Sequence, residues 1–137
     1  MTILNALEGP PEACVTYHVA DGEWELDEDF SYFDPWLWVT LTVWAGFRFD
    51  LASIPRAFWH RVAPMELSIE AALLHDALYA HGGLLPPTCV QPVQVIFRRV
   101  DADKLFLRMM RAYSVGAVRR NAAYLAVRVF GGPHWKG

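Results

Sequence analysis

The chain has 137 residues, enough for one domain around one core. Its 54 % hydrophobic and 20 % charged residues exclude a disordered chain. A formal net charge of −3 argues against a dedicated nucleic-acid binder, which needs clustered Lys/Arg to neutralise phosphates.

The first segment, MTILNALEGPPEA, has no basic stretch followed by a long apolar run, so no signal peptide is expected. Nothing in the chain approaches the roughly 18 apolar residues of a membrane span. Residues 1–13 read as an irregular leader. Cys14 and the distant Cys89 fit no metal-ligand spacing and are expected as unpaired thiols of a protein made in the cytosol.

From Tyr17 to Phe49 the signals are β. Trp24, Leu26 and the Phe30 to Phe33 patch precede a turn at Asp34-Pro35. Then Trp36, Trp38, Thr40, Thr42 and Trp44 recur at every second position, the strand period. The plain reading of this stripe is a packed sheet face, and the sharper one is a ligand-stacking platform. Ala45-Gly46 is a turn, and the chain extends again through Asp50.

The second half is helical. Ser53 is a plausible cap and Pro55 a good first-turn residue for a short helix over 56–62. Ser68 caps an expected helix over 68–81, closed by Gly82-Gly83. Prolines keep 84–92 from being regular helix. Two further helices are expected over 99–113 and 117–130, followed by a tail at 131–137. The fold class is therefore α+β: a small antiparallel N-terminal sheet over about 15–50, then three to four helices packed against it, in a single domain.

After Glu70, the helix SIEAALLHDALYAH is apolar on every side except at His75, Asp76 and Tyr79. Such a helix is buried, so its ionisable pair needs partners from elsewhere. His75 and Tyr79 share a face, and Asp76 points about 100° away. The next helix supplies a partner. Val100, Asp103, Phe106, Leu107 and Met110 form its core stripe, with Asp101, Lys104, Arg108 and Arg111 opposite. A carboxylate inside an apolar stripe must accept hydrogen bonds, and His75 or Tyr79 is the obvious donor. Asp50, flanked by apolar residues, reads as a third buried acid that caps a turn, pairs with Arg56 or joins a metal site. His18, His60, His81 and His134 are isolated and read as surface residues.

Four segments in order, GFRFDLASIPR (46–56), AALLHDALY (71–79), ADKLFLRMM (102–110) and YLAVRVFG (124–131), resemble domain-of-unknown-function family 1353. Arg99, four residues before Asp103, matches an arginine usual there. Members of that family are typically encoded by phages and prophages. More distantly, Asp-x-x-Ser-x-Pro, His-Asp-x-x-Tyr and Asp-x-x-Phe are similar to bacterial and fungal phospholipase A₂. That resemblance implies His75 as general base, Asp103 orienting it, Tyr79 bonded to Asp103, and Asp76 with Asp50 as calcium ligands. The disulfide and the glycine-rich calcium loop of those enzymes are absent here, where Leu73-Leu74 and Leu51-Ala52 stand instead.

Two functions follow as expectations. The leading one is a non-catalytic virion or assembly component, made in the host bacterial cytoplasm and packaged or used there. In it Arg99, Ser53 and Arg56 extend a structural His–Asp network. Self-association or contact with other phage proteins runs through Trp135 and the basic edge of Arg119, Arg120 and Arg128. The alternative is a calcium-dependent, phospholipase A₂-like hydrolase using the His75/Asp103 dyad. Nucleic acid is expected in neither, membrane lipid only in the second, and calcium is the sole implied cofactor.

Overall fold

The computed structural model describes residues 9–50 and 67–137. Ser53, Arg56, His60 and the short helix expected over 56–62 lie outside the described residues. The architecture is α+β, as expected, but with two three-stranded antiparallel sheets in place of one among the described residues. Strands β1 (Val15–His18), β2 (Glu23–Leu26) and β5 (Arg48–Phe49) form the first, in the order β1-β2-β5. Strands β3 (Phe30–Asp34), β4 (Val39–Val43) and β6 (Val90–Gln91) form the second, in the order β3-β4-β6. β6 lies in the proline-rich stretch, where sequence showed only the absence of helix.

The β3–β4 hairpin reverses the expectation for the tryptophans. The strand alternates as predicted, but Val39, Leu41 and Val43 are the buried set. Trp36, Trp38 and Trp44 are 76, 65 and 51 % exposed. The inner face abuts helices, where compact aliphatic side chains interdigitate, so Thr40 and Thr42 take the outer face, with Trp36 and Trp38 in the turn before the strand and Trp44 just past it. Asp34 organises the turn. Its carboxylate accepts the backbone N–H groups of Trp36 and Leu37, both at 3.3 Å. Trp38 then sits at φ +59°, a left-handed position that glycine usually fills.

Three helices follow among the described residues. Helix α1 (Ile69–Ala80) starts at Ser68, whose hydroxyl accepts the Ala71 N–H at 3.1 Å. Its interior is buried nearly all round, as its composition predicts. It ends where Gly83, at φ +84°, approaches the Phe97 backbone so closely that no Cβ would fit. Helix α2 (Arg99–Ala112) buries Ala102, Asp103, Leu105, Phe106, Met109 and Met110. Val100 and Leu107, expected in the core stripe, are only half-buried, so the stripe is rotated toward Leu105 and Met109. Helix α3 (Ala117–Phe130) packs on α2 through Ala123, Ala126 and Val127. No described helix is long and apolar enough to cross a membrane. Both cysteines are free thiols, Cys14 exposed and Cys89 buried.

The C-terminal tail is not free. A 3-10 turn over Gly132–His134 folds it back, Trp135 stacks edge-on against Tyr79 at 5.1 Å, and the Lys136 N–H donates to the Tyr79 carbonyl at 3.1 Å. Trp135 is thus a half-buried part of the fold rather than a loose anchor.

Candidate functional site

Tyr79 lies beside Arg99 while His75 lies beside Phe106, so α1 and α2 run antiparallel. This brings two apolar helix faces together with Asp103 between them, buried along with His75. A carboxylate there is tolerable only if its oxygens are filled. His75 Nε2 and Tyr79 Oη each lie 2.7 Å from Asp103 Oδ1, and Arg128 Nη1 donates to Oδ2 at 2.7 Å. Arg99 Nη1 stands 3.7 Å from Oδ2 and donates to Tyr79 Oη at 3.3 Å.

The two arginines differ in what else they hold. Arg99 also donates to the carbonyls of Val127 at 3.0 Å and Arg128 at 3.1 Å, satisfying the last turn of α3. Arg128 was expected on an exposed partner-binding edge. It turns inward instead, because the buried Asp103 charge attracts it more strongly than solvent screening allows at a surface. Arg120 likewise donates to the Val115 carbonyl at 3.0 Å and braces the α2–α3 connection, leaving Arg119 as the exposed member of that edge. Gly131 makes the closure feasible: a Cβ there would stand 2.7 Å from Tyr79 Oη and 3.2 Å from Arg99 Nη1.

Three pKa directions follow. Burial pushes Asp103 up, but the bonds from His75, Tyr79 and Arg128 outweigh it and hold the carboxyl below its usual range. Burial pulls His75 down, and its bond to Asp103 together with the neighbouring Asp76 carboxylate overcomes that and raises it. Burial and the bond to Asp103 raise Tyr79. A carboxyl with a depressed folded-state pKa contributes stability that is full above its unfolded pKa of about 3.9 and is lost as pH falls through the folded value. The expected result is that thermal stability declines as pH is lowered below about 4, and that Asp103→Asn flattens that decline. Equal acid sensitivity of wild type and Asp103→Asn would show that Asp103 is not the titrating group.

On the opposite side of the His75 ring, Nδ1 faces Asp76 Oδ1 at 3.8 Å, too long for a firm hydrogen bond. Asp76 lines a cleft of about 260 Å³, shared with Asp50, Tyr79, Arg48, His134 and Lys136. Asp50, expected to be buried, is exposed on this cleft because β5 ends just before it. The structure therefore brings His75, Asp103, Tyr79 and Arg99 into one network and Asp76 and Asp50 into one cleft. A calcium site needs about six to eight oxygens. Among the described residues no group of three or more His, Cys, Asp or Glu side chains is placed to hold a metal. Asp76 and Asp50 supply only part of such a set, and the loop after Asp50, whose carbonyls would complete it, lies outside the described residues.

Sequence reasoning missed Arg128 as a network member and missed a second buried acid. Asp34 is buried and binds Arg108 Nη2 at 2.8 Å, 74 positions away. Its place in an Asp-Pro turn signalled a cap, but nothing local signalled the ion pair.

Comparison with known proteins gives one result. The family described as "Protein of unknown function (DUF1353)" matches residues 24–127. No curated protein and no solved structure matches the chain.

Proposed function

The chain belongs to the DUF1353 family, and from its site we propose that it is an ester hydrolase with His75 as general base and Asp103 as the acid that orients it. The observation that carries this reading is the 2.7 Å contact between His75 Nε2 and a buried carboxylate, with Nδ1 facing Asp76, which lines the cleft. A neutral His75 that donates Nε2–H to Asp103 has its lone pair on Nδ1. Water reaching Nδ1 past Asp76 gives up its proton there as its oxygen bonds to the ester carbonyl carbon. The carbon–alkoxide bond then breaks, and the imidazolium returns the proton to the leaving alcohol. Asp103 stabilises that imidazolium. Tyr79, Arg99 and Arg128 keep Asp103 ionised and fixed, and the Lys136 ammonium on the cleft opposes the developing oxyanion. The similarity to phospholipase A₂ supports the same roles and makes a lipid ester the first substrate to try.

The test is His75→Gln, which keeps one hydrogen bond but cannot act as a base near neutral pH. Turnover of dispersed phospholipid and of a soluble nitrophenyl ester, with calcium and with chelator, is expected to fall at least about 100-fold. Most of the melting temperature should survive. Equal turnover by both proteins, or none from wild type, removes the hydrolase.

A second reading keeps the network as a lock and makes the chain a phage virion or assembly component. It is favoured by the outward side of α3, where Val118, Leu125 and Val129 are exposed beside Arg119. Protein mass spectrometry of purified particles, with size-exclusion chromatography of the chain alone, decides it. A monomer absent from particles leaves it without support.

A further inference from the structure

We propose that the outward face of the β3-β4-β6 sheet binds a neutral polysaccharide chain. Cross-strand register places Ser31 opposite Thr42, Phe33 opposite Thr40, and Thr40 opposite Gln91, so these side chains share the face turned away from Val39, Leu41 and Val43. Trp38 precedes this row at one end and Trp44 follows it at the other, flanking the strand Val39–Val43. Both indoles are exposed, where tryptophan is normally well covered.

The face is built rather than left over. Trp38 occupies a left-handed backbone position at φ +59° that a bulky side chain adopts only under strain, and such strain concentrates at functional sites. Its ring is held edge-on by Phe33, with centroids 4.9 Å apart. Behind it the sheet rests on the core and is stiff.

The chemistry between the indoles selects the ligand. Ser31, Thr40, Thr42 and Gln91 offer hydroxyls and an amide, which donate and accept without charge. The Ser31 and Thr42 hydroxyls already bond each other at 2.8 Å. No side chain of the row is ionised, so a phosphate polymer or a charged peptide finds no counter-ion there. Acids stand at the Trp44 end, where Asp29 accepts the Ala45 N–H at 2.7 Å and Asp27 and Glu28 are exposed, and these repel a polyanion. A β-linked sugar chain has flat C–H faces for aromatic rings and rims of hydroxyls for the row between them. The proposal is independent of the hydrolase at the dyad, since none of these row residues lines the cleft beside Asp76.

The experiment measures depletion of the full chain from solution by insoluble cellulose, chitin and curdlan, three neutral β-linked polymers. Tryptophan fluorescence is titrated in parallel with soluble cello- and chito-oligosaccharides. Retention on at least one polymer is expected, weakened by about tenfold or more in Trp38→Gly and in Trp44→Ser. Trp38→Gly removes the ring while relieving the backbone, so its melting temperature should stay at or above that of wild type and misfolding cannot mimic lost binding. Trp36→Ala is the control, since Arg108 packs over that ring on the α2 side, 5.9 Å from its centroid. No retention by wild type on any of the three polymers overturns the proposal, as does retention that Trp38→Gly and Trp44→Ser leave unchanged. A solution dimer that Trp38→Gly dissolves also overturns it, assigning the face to a second copy of the chain.

Discussion

Asp103→Ala is expected to cost about 3–5 kcal/mol of folding stability, because it removes one member of a buried ionic cluster and leaves the others in place. Four side chains from three helices converge on this carboxylate: His75 and Tyr79 of α1, Arg99 of α2 and Arg128 of α3. Without it, two guanidiniums share a partly buried space with an imidazole and a phenol, and no acceptor replaces the lost oxygens. Arg128 is the most exposed of these groups and regains some water, which sets the lower end of the range. A loss of that size is a large fraction of the 5–15 kcal/mol typical of a domain, so the melting temperature should fall by about 10 °C or more. Asp103→Asn should fall between, since its amide keeps one acceptor but turns an N–H₂ toward a donor. Circular dichroism through thermal and urea unfolding provides the measurement. A melting temperature within a degree or two of wild type would mean that the three helices are held together without the cluster.

The helices and their most important contact were legible because they depend on local chemistry. Ser68 three residues before Ala71, and Gly82-Gly83 after His81, marked both ends of α1. A lone carboxylate in the stripe of α2 marked Asp103 as a residue in need of a donor, and the helical repeat named His75 and Tyr79 as the donors within reach. What was not legible depends on tertiary choice. Alternation shows that Trp38, Thr40, Thr42 and Trp44 share a face, but which parity faces the helices is decided by what fills the gap, and there Val39, Leu41 and Val43 pack better. Arg128 reads as a surface residue on the helical wheel of α3 until Gly131 lets the chain close onto Tyr79. Two strands of two residues each, β5 and β6, are too short to carry a period at all. Asp50 looked buried because its neighbours are apolar, yet the end of β5 leaves it facing the cleft.

Asp34→Ala is expected to cost about 2–4 kcal/mol, and the loss divides into two parts that a second variant separates. One part is electrostatic. Asp34 is buried and receives the Arg108 guanidinium at 2.8 Å, so its removal strands a half-covered cation that also packs over the Trp36 ring. The other part is conformational. The same carboxylate accepts two backbone N–H groups of the turn, from Trp36 and Leu37, and so directs the chain into the left-handed Trp38 position. Asp34→Asn keeps a carbonyl oxygen for one of those N–H groups and gives up the other oxygen and the charge. Its stability should lie between those of wild type and Asp34→Ala, and the gap between the two variants measures the retained turn bond. The near-ultraviolet circular dichroism of the indoles should follow the turn and not the charge, staying close to wild type in Asp34→Asn and losing intensity in Asp34→Ala. If Asn and Ala prove equally destabilising with equal spectra, the turn bonds contribute nothing, and the orientation of Trp38 must come from Phe33 alone.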